Sequence, residues 1–181
     1  MATAAAARLA LAWGMAREAA QLVEEAWPRI PVVEGSCRAL LRWVQAQIAH
    51  DSGDLQTARR HLEEATAALR QERNLALLAT VTRSWAERLI ARGELTVAAM
   101  HLRNARVLYR QLGDQDGVAA TLRGAGDVAI ASCETLSAGA LLEQAEAGST
   151  TPIEQVNLLI SLATMAITGG NHPEASALLD R

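Results

Sequence analysis

The sequence predicts an all-α chain of about five helix-turn-helix repeats with a period of about 40 residues, and three observations lead there. A six-residue pattern recurs: Gly53-Asp54-Leu55-Gln56-Thr57-Ala58 returns one full period later as Gly93-Glu94-Leu95-Thr96-Val97-Ala98, and more weakly as Cys133-Glu134-Thr135-Leu136-Ser137-Ala138. Each copy lies between stretches whose apolar residues recur at spacings of one, three and four, the stripe of a helix with one buried face. Half of the residues are apolar but only 3% are aromatic. Ala, Leu, Val and Ile must therefore do the packing, and Ala and Leu lead the helix-propensity order.

In chain order, helices are expected over 2–13, 16–27, 36–51, 54–73, 75–92, 95–112, 116–132, 135–147, 152–168 and 172–181. Gly14 to Ala19 opens the first copy of the turn, and Gly170-Asn171-His172-Pro173-Glu174-Ala175 closes the set. Leu40, Leu41, Val44 and Ile48 stripe the helix before Gly53, while Ala58, Leu62, Ala65 and Leu69 stripe the one after it. Ala98, Leu102, Ala105 and Leu108 repeat that scheme. The turn glycine suits the left-handed residue that ends a helix, and the acidic residue after it suits the positive end of the next. Pro28 and Pro31 cut the second helix short and make 27–35 the longest irregular link, and 148–152 makes another. One domain over 1–181 is expected, with repeats at about 1–35, 36–74, 75–114, 115–150 and 151–181. Its last helix is still apolar at Leu178 and Leu179. That uncapped end predicts an excerpt of a longer protein, or an end covered by a partner or a second copy of the chain.

The composition excludes several classes of function. A net charge of −3 gives no basic surface for nucleic acid or for an anionic membrane. No apolar run is long enough to cross a bilayer. The stretch 1–16 lacks the basic start of a secretion signal and carries Arg8 inside its apolar run. Cys37 and Cys133 are the only cysteines, which suggests neither a disulfide scaffold nor a Cys-based zinc site. A cytoplasmic location is expected.

The turn with its following pattern (Gly53, Asp54, Leu55, Ala58, Leu62, Ala65) resembles the tetratricopeptide repeat, and small residues at Ala46, Ala86, Gly126 and Ala163 fit the same pattern. The longer period is similar to the variety found in C-terminal regions of large bacterial LuxR-type and ATP-dependent transcriptional activators. The stretch from Tyr109 to Ala119, with Leu112-Gly113-Asp114 at its centre, carries that likeness. The resemblance implies a right-handed α-solenoid of about five TPR-like repeats. It also implies an interaction and sensing module of a bacterial signal-responsive regulator, binding a protein or peptide segment in its concave groove. A receptor for a small-molecule or peptide inducer is the alternative, and an enzyme domain is a third class.

By the same analogy, positions ten and six before the turn residue line the groove. They are Trp43 and Gln47, Arg83 and Glu87, and Arg123 and Asp127. A basic residue followed four later by an acidic one is either a solvated pair on one helix or a place for a polar ligand, with arginine forking onto its carboxylates beside an exposed Trp43. Trp13 and Trp85 are expected between helices. His61 and His101 share a repeat position, but no third ligand joins them, so no metal is expected. No cofactor and no catalytic residue is expected either, since no phosphate-binding loop or nucleophile-base pair stands out.

Overall fold

A computed structural model of the chain describes residues 6, 9–10, 15–29 and 35–180. Among these residues every regular element is helical. The α-helices are α1 (Ala16–Ala26), α2 (Gly35–Asp51), α3 (Leu55–Gln71), α4 (Leu75–Ala91), α5 (Leu95–Leu112), α6 (Gln115–Ala131), α7 (Thr135–Gly148), α8 (Pro152–Thr168) and α9 (His172–Leu179). A 3₁₀ turn over Trp27–Arg29 follows α1, where Pro28 ends the helix. The helix expected over 2–13 falls mostly outside the described residues, as do Trp13, Gly14 and Pro31. By contact density the chain divides into two compact units, Met1–Leu78 and Ala79–Arg181.

Reversal of the chain at a fixed interval governs residues 53–133, and a further reversal of the same kind at Gly170, φ 78°, departs from that interval. Gly53, Arg73, Gly93, Gly113 and Cys133, evenly spaced at half the repeat period, have φ of 87°, 53°, 78°, 69° and 60°. At each reversal the next residue's N–H reaches back five residues to a carbonyl of the last turn. Asp54 to Ala49, Asn74 to Leu69, Glu94 to Leu89, Asp114 to Tyr109 and Glu134 to Ala129 are 2.9, 3.0, 2.9, 3.0 and 2.8 Å. These bonds satisfy carbonyls that a helix end leaves open. Asp54, Asn74 and Asp114 then cap the following helix, accepting the N–H of the third residue on at 3.1, 3.2 and 2.8 Å. Glu94 and Glu134 make no such side-chain cap; glutamate is one methylene longer than the residues that cap well.

In the first unit α2 packs between α1 and α3. Ala39, Leu41, Val44, Ala58, Ala65 and Leu69 form its buried interior. In the second unit α6 packs against α5, α7 and α8. Ala79, Ala105 and Tyr109 make one buried cluster, and Leu122, Leu142, Ala145 and Leu158 make another. Ala46, Ala86, Gly126 and Ala163 are all buried, as the repeat pattern requires. At Gly126 a Cβ would stand 2.7 Å from Cδ2 of Leu142, so α6 and α7 meet there too closely for any side chain. The expected link at 148–152 is short and clipped. Asp116 accepts from Thr150 N and Oγ1, both at 2.7 Å, and from Thr151 N at 3.2 Å.

Cys133 holds a left-handed backbone that costs an L side chain about 1 kcal/mol. The side chain is exposed and packs nothing in return. Cys133→Gly is expected to stabilise the chain by about 1 kcal/mol in urea denaturation; an unchanged or lower midpoint would refute this account of the turn.

Candidate functional site

Helix periodicity places Arg83 and Glu87 on one face of α4, and Arg123 and Asp127 on the equivalent face of α6. The structure brings all four together in the second unit, around a cleft of about 430 Å³ that Ile90 and Asn157 also line. Arg123 is the centre of the arrangement. Its Nε donates to Glu154 Oε1 at 2.6 Å, its Nη1 to Asp127 Oδ2 at 2.9 Å, and its Nη2 to Glu87 Oε1 at 3.2 Å. Glu87 also accepts from Nη1 of Arg83. One guanidinium therefore ties α6 to α8 and to α4, and a planar fork with five donors is the group suited to this.

Burial pulls the Arg123 pKa down, but Glu154, Asp127 and Glu87 outweigh it and hold the guanidinium above its ordinary value. Arg83 is raised in the same way, with Glu87 and the Tyr109 hydroxyl opposing the cost of burial. Burial pushes the Asp127 carboxyl up, against downward pulls from Ser161 and Arg123. Glu154 is buried and carries no second cation within bonding distance among the described residues; Asn157 Nδ2 lies 3.5 Å from its Oε2.

This geometry alters the expected chemistry. The sequence points to arginines that fork onto a ligand's carboxylates, yet each of the three guanidinium nitrogens of Arg123 is already engaged by a carboxylate of its own chain. The groups that reach furthest into solvent are the acids. The Glu87 and Asp127 side chains are 35% and 25% exposed, against 22% and 10% for Arg83 and Arg123. With Glu154 included, three carboxylates stand against two guanidiniums.

Trp43 and Gln47 lie in the first unit, on α2, and both are buried there, at 1% and 7% exposure. The expectation of an exposed aromatic at Trp43 is thus incorrect. α2 is covered on two sides by α1 and α3, and in a core of small aliphatic residues the large ring gains more from burial than from exposure. Trp85 is buried, as expected. Cys37 is only partly buried. Burial lowers the pKa of both His61 and His101, with Arg42 adding to the effect at His61. Among the described residues no three His, Cys, Asp or Glu converge in a way that could hold a metal ion, and no helix is long and apolar enough to cross a membrane.

Sequence reasoning missed Glu154. It occupies the register position of Gly117 in the preceding repeat, so nothing in the repetition marks it.

No family model matches the sequence, and no curated protein does. Solved structures do. BtubC (BKLC) from P. vanneervenii is similar with a TM-score of 0.71 at 19% identity, over 97% of this chain and 74% of that one. A putative kinesin light chain from Podosopora anserina with nearly identical TPR-like repeats is similar with a TM-score of 0.68 at 19% identity, over 99% of this chain and 90% of that one. A singly substituted form of that same protein gives a TM-score of 0.69. These likenesses show a TPR-like helical-repeat fold.

Two outcomes follow from the cleft. Arg123→Ala leaves Glu154 buried without its cation and is expected to destabilise the chain by about 3 kcal/mol in urea denaturation, whereas a loss below about 1 kcal/mol would mean the network carries little. The raised Asp127 carboxyl binds its proton more tightly in the folded chain. Its contribution is therefore whole below the unfolded value and is lost as pH rises through the folded one. As pH rises above about 4, the ordinary carboxylate range, the stability of the wild type is expected to fall relative to Asp127→Asn, and parallel curves would contradict this.

Proposed function

We propose that this chain is a non-catalytic protein-interaction module whose cleft on α4 and α6, extended by α8, holds a partner segment through a basic side chain. The observation behind this reading is the arrangement of charge. The guanidiniums lie beneath, engaged by internal carboxylates, while Glu87 and Asp127 are the more exposed groups and the acids are in excess. A lysine or arginine of a partner meets complementary charge there, and an acidic residue meets repulsion. Beside the cleft, α8 carries Ile160 at the register position of Arg123, and Ile160 is exposed. An apolar side chain next to the basic one therefore has a surface to cover.

We place this module in a bacterial signal-responsive regulator, where occupancy of the cleft is relayed to domains elsewhere. The support for that step is the likeness of the stretch from Tyr109 to Ala119 to such regulators.

Selection of a random peptide display library on the purified chain tests the binding reading. Enriched peptides are expected to share a Lys or Arg next to an aliphatic residue, and to bind Glu87→Gln at least about tenfold more weakly. Enrichment of acidic peptides, or binding unmoved by Glu87→Gln, would overturn it.

A further inference from the structure

A second cavity of about 300 Å³ lies among α5, α6 and α7. Ala99 and Leu102 of α5, Thr121 and Ala125 of α6 and Leu141 of α7 form its apolar wall. It is separate from the cleft described above. Ala125 lies two residues from Arg123, about 200° around a helix of 3.6 residues per turn, and so on the opposite side of α6.

The repeat register explains why the cavity exists. Position 125 of α6 corresponds to Trp85 of α4, one period earlier, and Trp85 is buried at 6% exposure. The corresponding residue of α8 is Leu162, which packs against the core cluster around Leu142. α6 alone of these three helices has a methyl group there. The flanking glycines prevent compensation by a shift of the helix. A Cβ at Gly124 would stand 2.9 Å from Leu102 and one at Gly126 2.7 Å from Leu142, so α6 is already in tight contact on both sides of the gap. Where the preceding repeat carries an indole, α6 carries only a methyl group.

The chemistry of the cavity is apolar within and cationic at its mouth. The Thr121 hydroxyl donates its proton to the Val118 carbonyl at 2.7 Å and so has no donor left for an anionic ligand. Arg103 and Arg106, three residues apart on α5, both line the cavity, with Arg103 exposed and Arg106 partly so. Neither makes an ion pair among the described residues. Two such guanidiniums at the edge of an apolar slot suit a carboxylate attached to a flat ring. The volume is at the lower end of the range for small-molecule sites. We infer that this cavity binds a small planar aromatic carboxylate, its ring in the space beside Ala125 and its anionic group on Arg103 and Arg106.

Isothermal titration calorimetry of the full chain with indole-3-acetate, and with neutral indole as the uncharged counterpart, tests the site. Saturable binding of indole-3-acetate at one molecule per chain is expected. Ala125→Trp, which restores the residue of the preceding repeat, is expected to abolish it, with circular dichroism confirming the fold. Should that variant not fold, Ala125→Leu, matching Leu162, serves as the block. Arg103→Gln combined with Arg106→Gln is expected to weaken indole-3-acetate about tenfold and to leave indole unchanged. Glu87→Gln, in the cleft, is expected to have no effect. Absence of saturable binding at millimolar concentration, or binding that persists with Ala125 replaced by the larger residue, would overturn the assignment.

Discussion

The constraint on which the rest depends is the reversal of the chain at one fixed interval, at Gly53, Arg73, Gly93, Gly113 and Cys133. A helix pair closed by a left-handed residue and a back-reaching N–H has a fixed length. Successive first helices then present the same positions to the same surroundings. Arg83 and Arg123 share one such position and Glu87 and Asp127 another, which is why four side chains far apart in sequence converge on one cleft. The same register places Ala125 at the position of Trp85 and leaves the cavity behind it. Both features follow from a repeated backbone carrying side chains that do not repeat.

The two features divide the labour of α6. One of its faces carries a buried guanidinium shared by three carboxylates, an arrangement whose cost of desolvation is met only while every partner is present. The opposite face carries Ala125, and Gly124 and Gly126 on either side of it stand in close contact with Leu102 and Leu142. Small residues permit close approach of helices, and they also leave space unfilled wherever a neighbour does not extend far enough. A core made almost without aromatic residues is prone to such gaps.

Much of this was legible in the sequence. The helix boundaries followed from the spacing of Leu, Ala and Val and from the turn glycines, because a 3.6-residue stripe and a left-handed reversal are local signals. The reversal at Arg73 was not legible, since Arg carries no preference for positive φ. Arg83, Glu87, Arg123 and Asp127 were visible as a repeated pair, but their mutual engagement was not. It depends on Glu154, which has no counterpart in the other repeats, and on burial that turns arginines expected to meet a ligand into internal anchors. Trp43 shows the converse limit: analogy placed it in a groove, and the packing of α2 between α1 and α3 buried it.

The central claim is that one buried guanidinium, Arg123, joins α6 to α8 through Glu154. A double-mutant cycle between Arg123 and Glu154, with Arg123→Met and Glu154→Gln singly and together, measures that joint directly in urea denaturation. The account predicts a coupling of about 2 kcal/mol or more in favour of the pair, as befits a buried, hydrogen-bonded ion pair across two repeats. A coupling within about 0.5 kcal/mol of zero would contradict it and reduce the cleft to a set of independent surface charges.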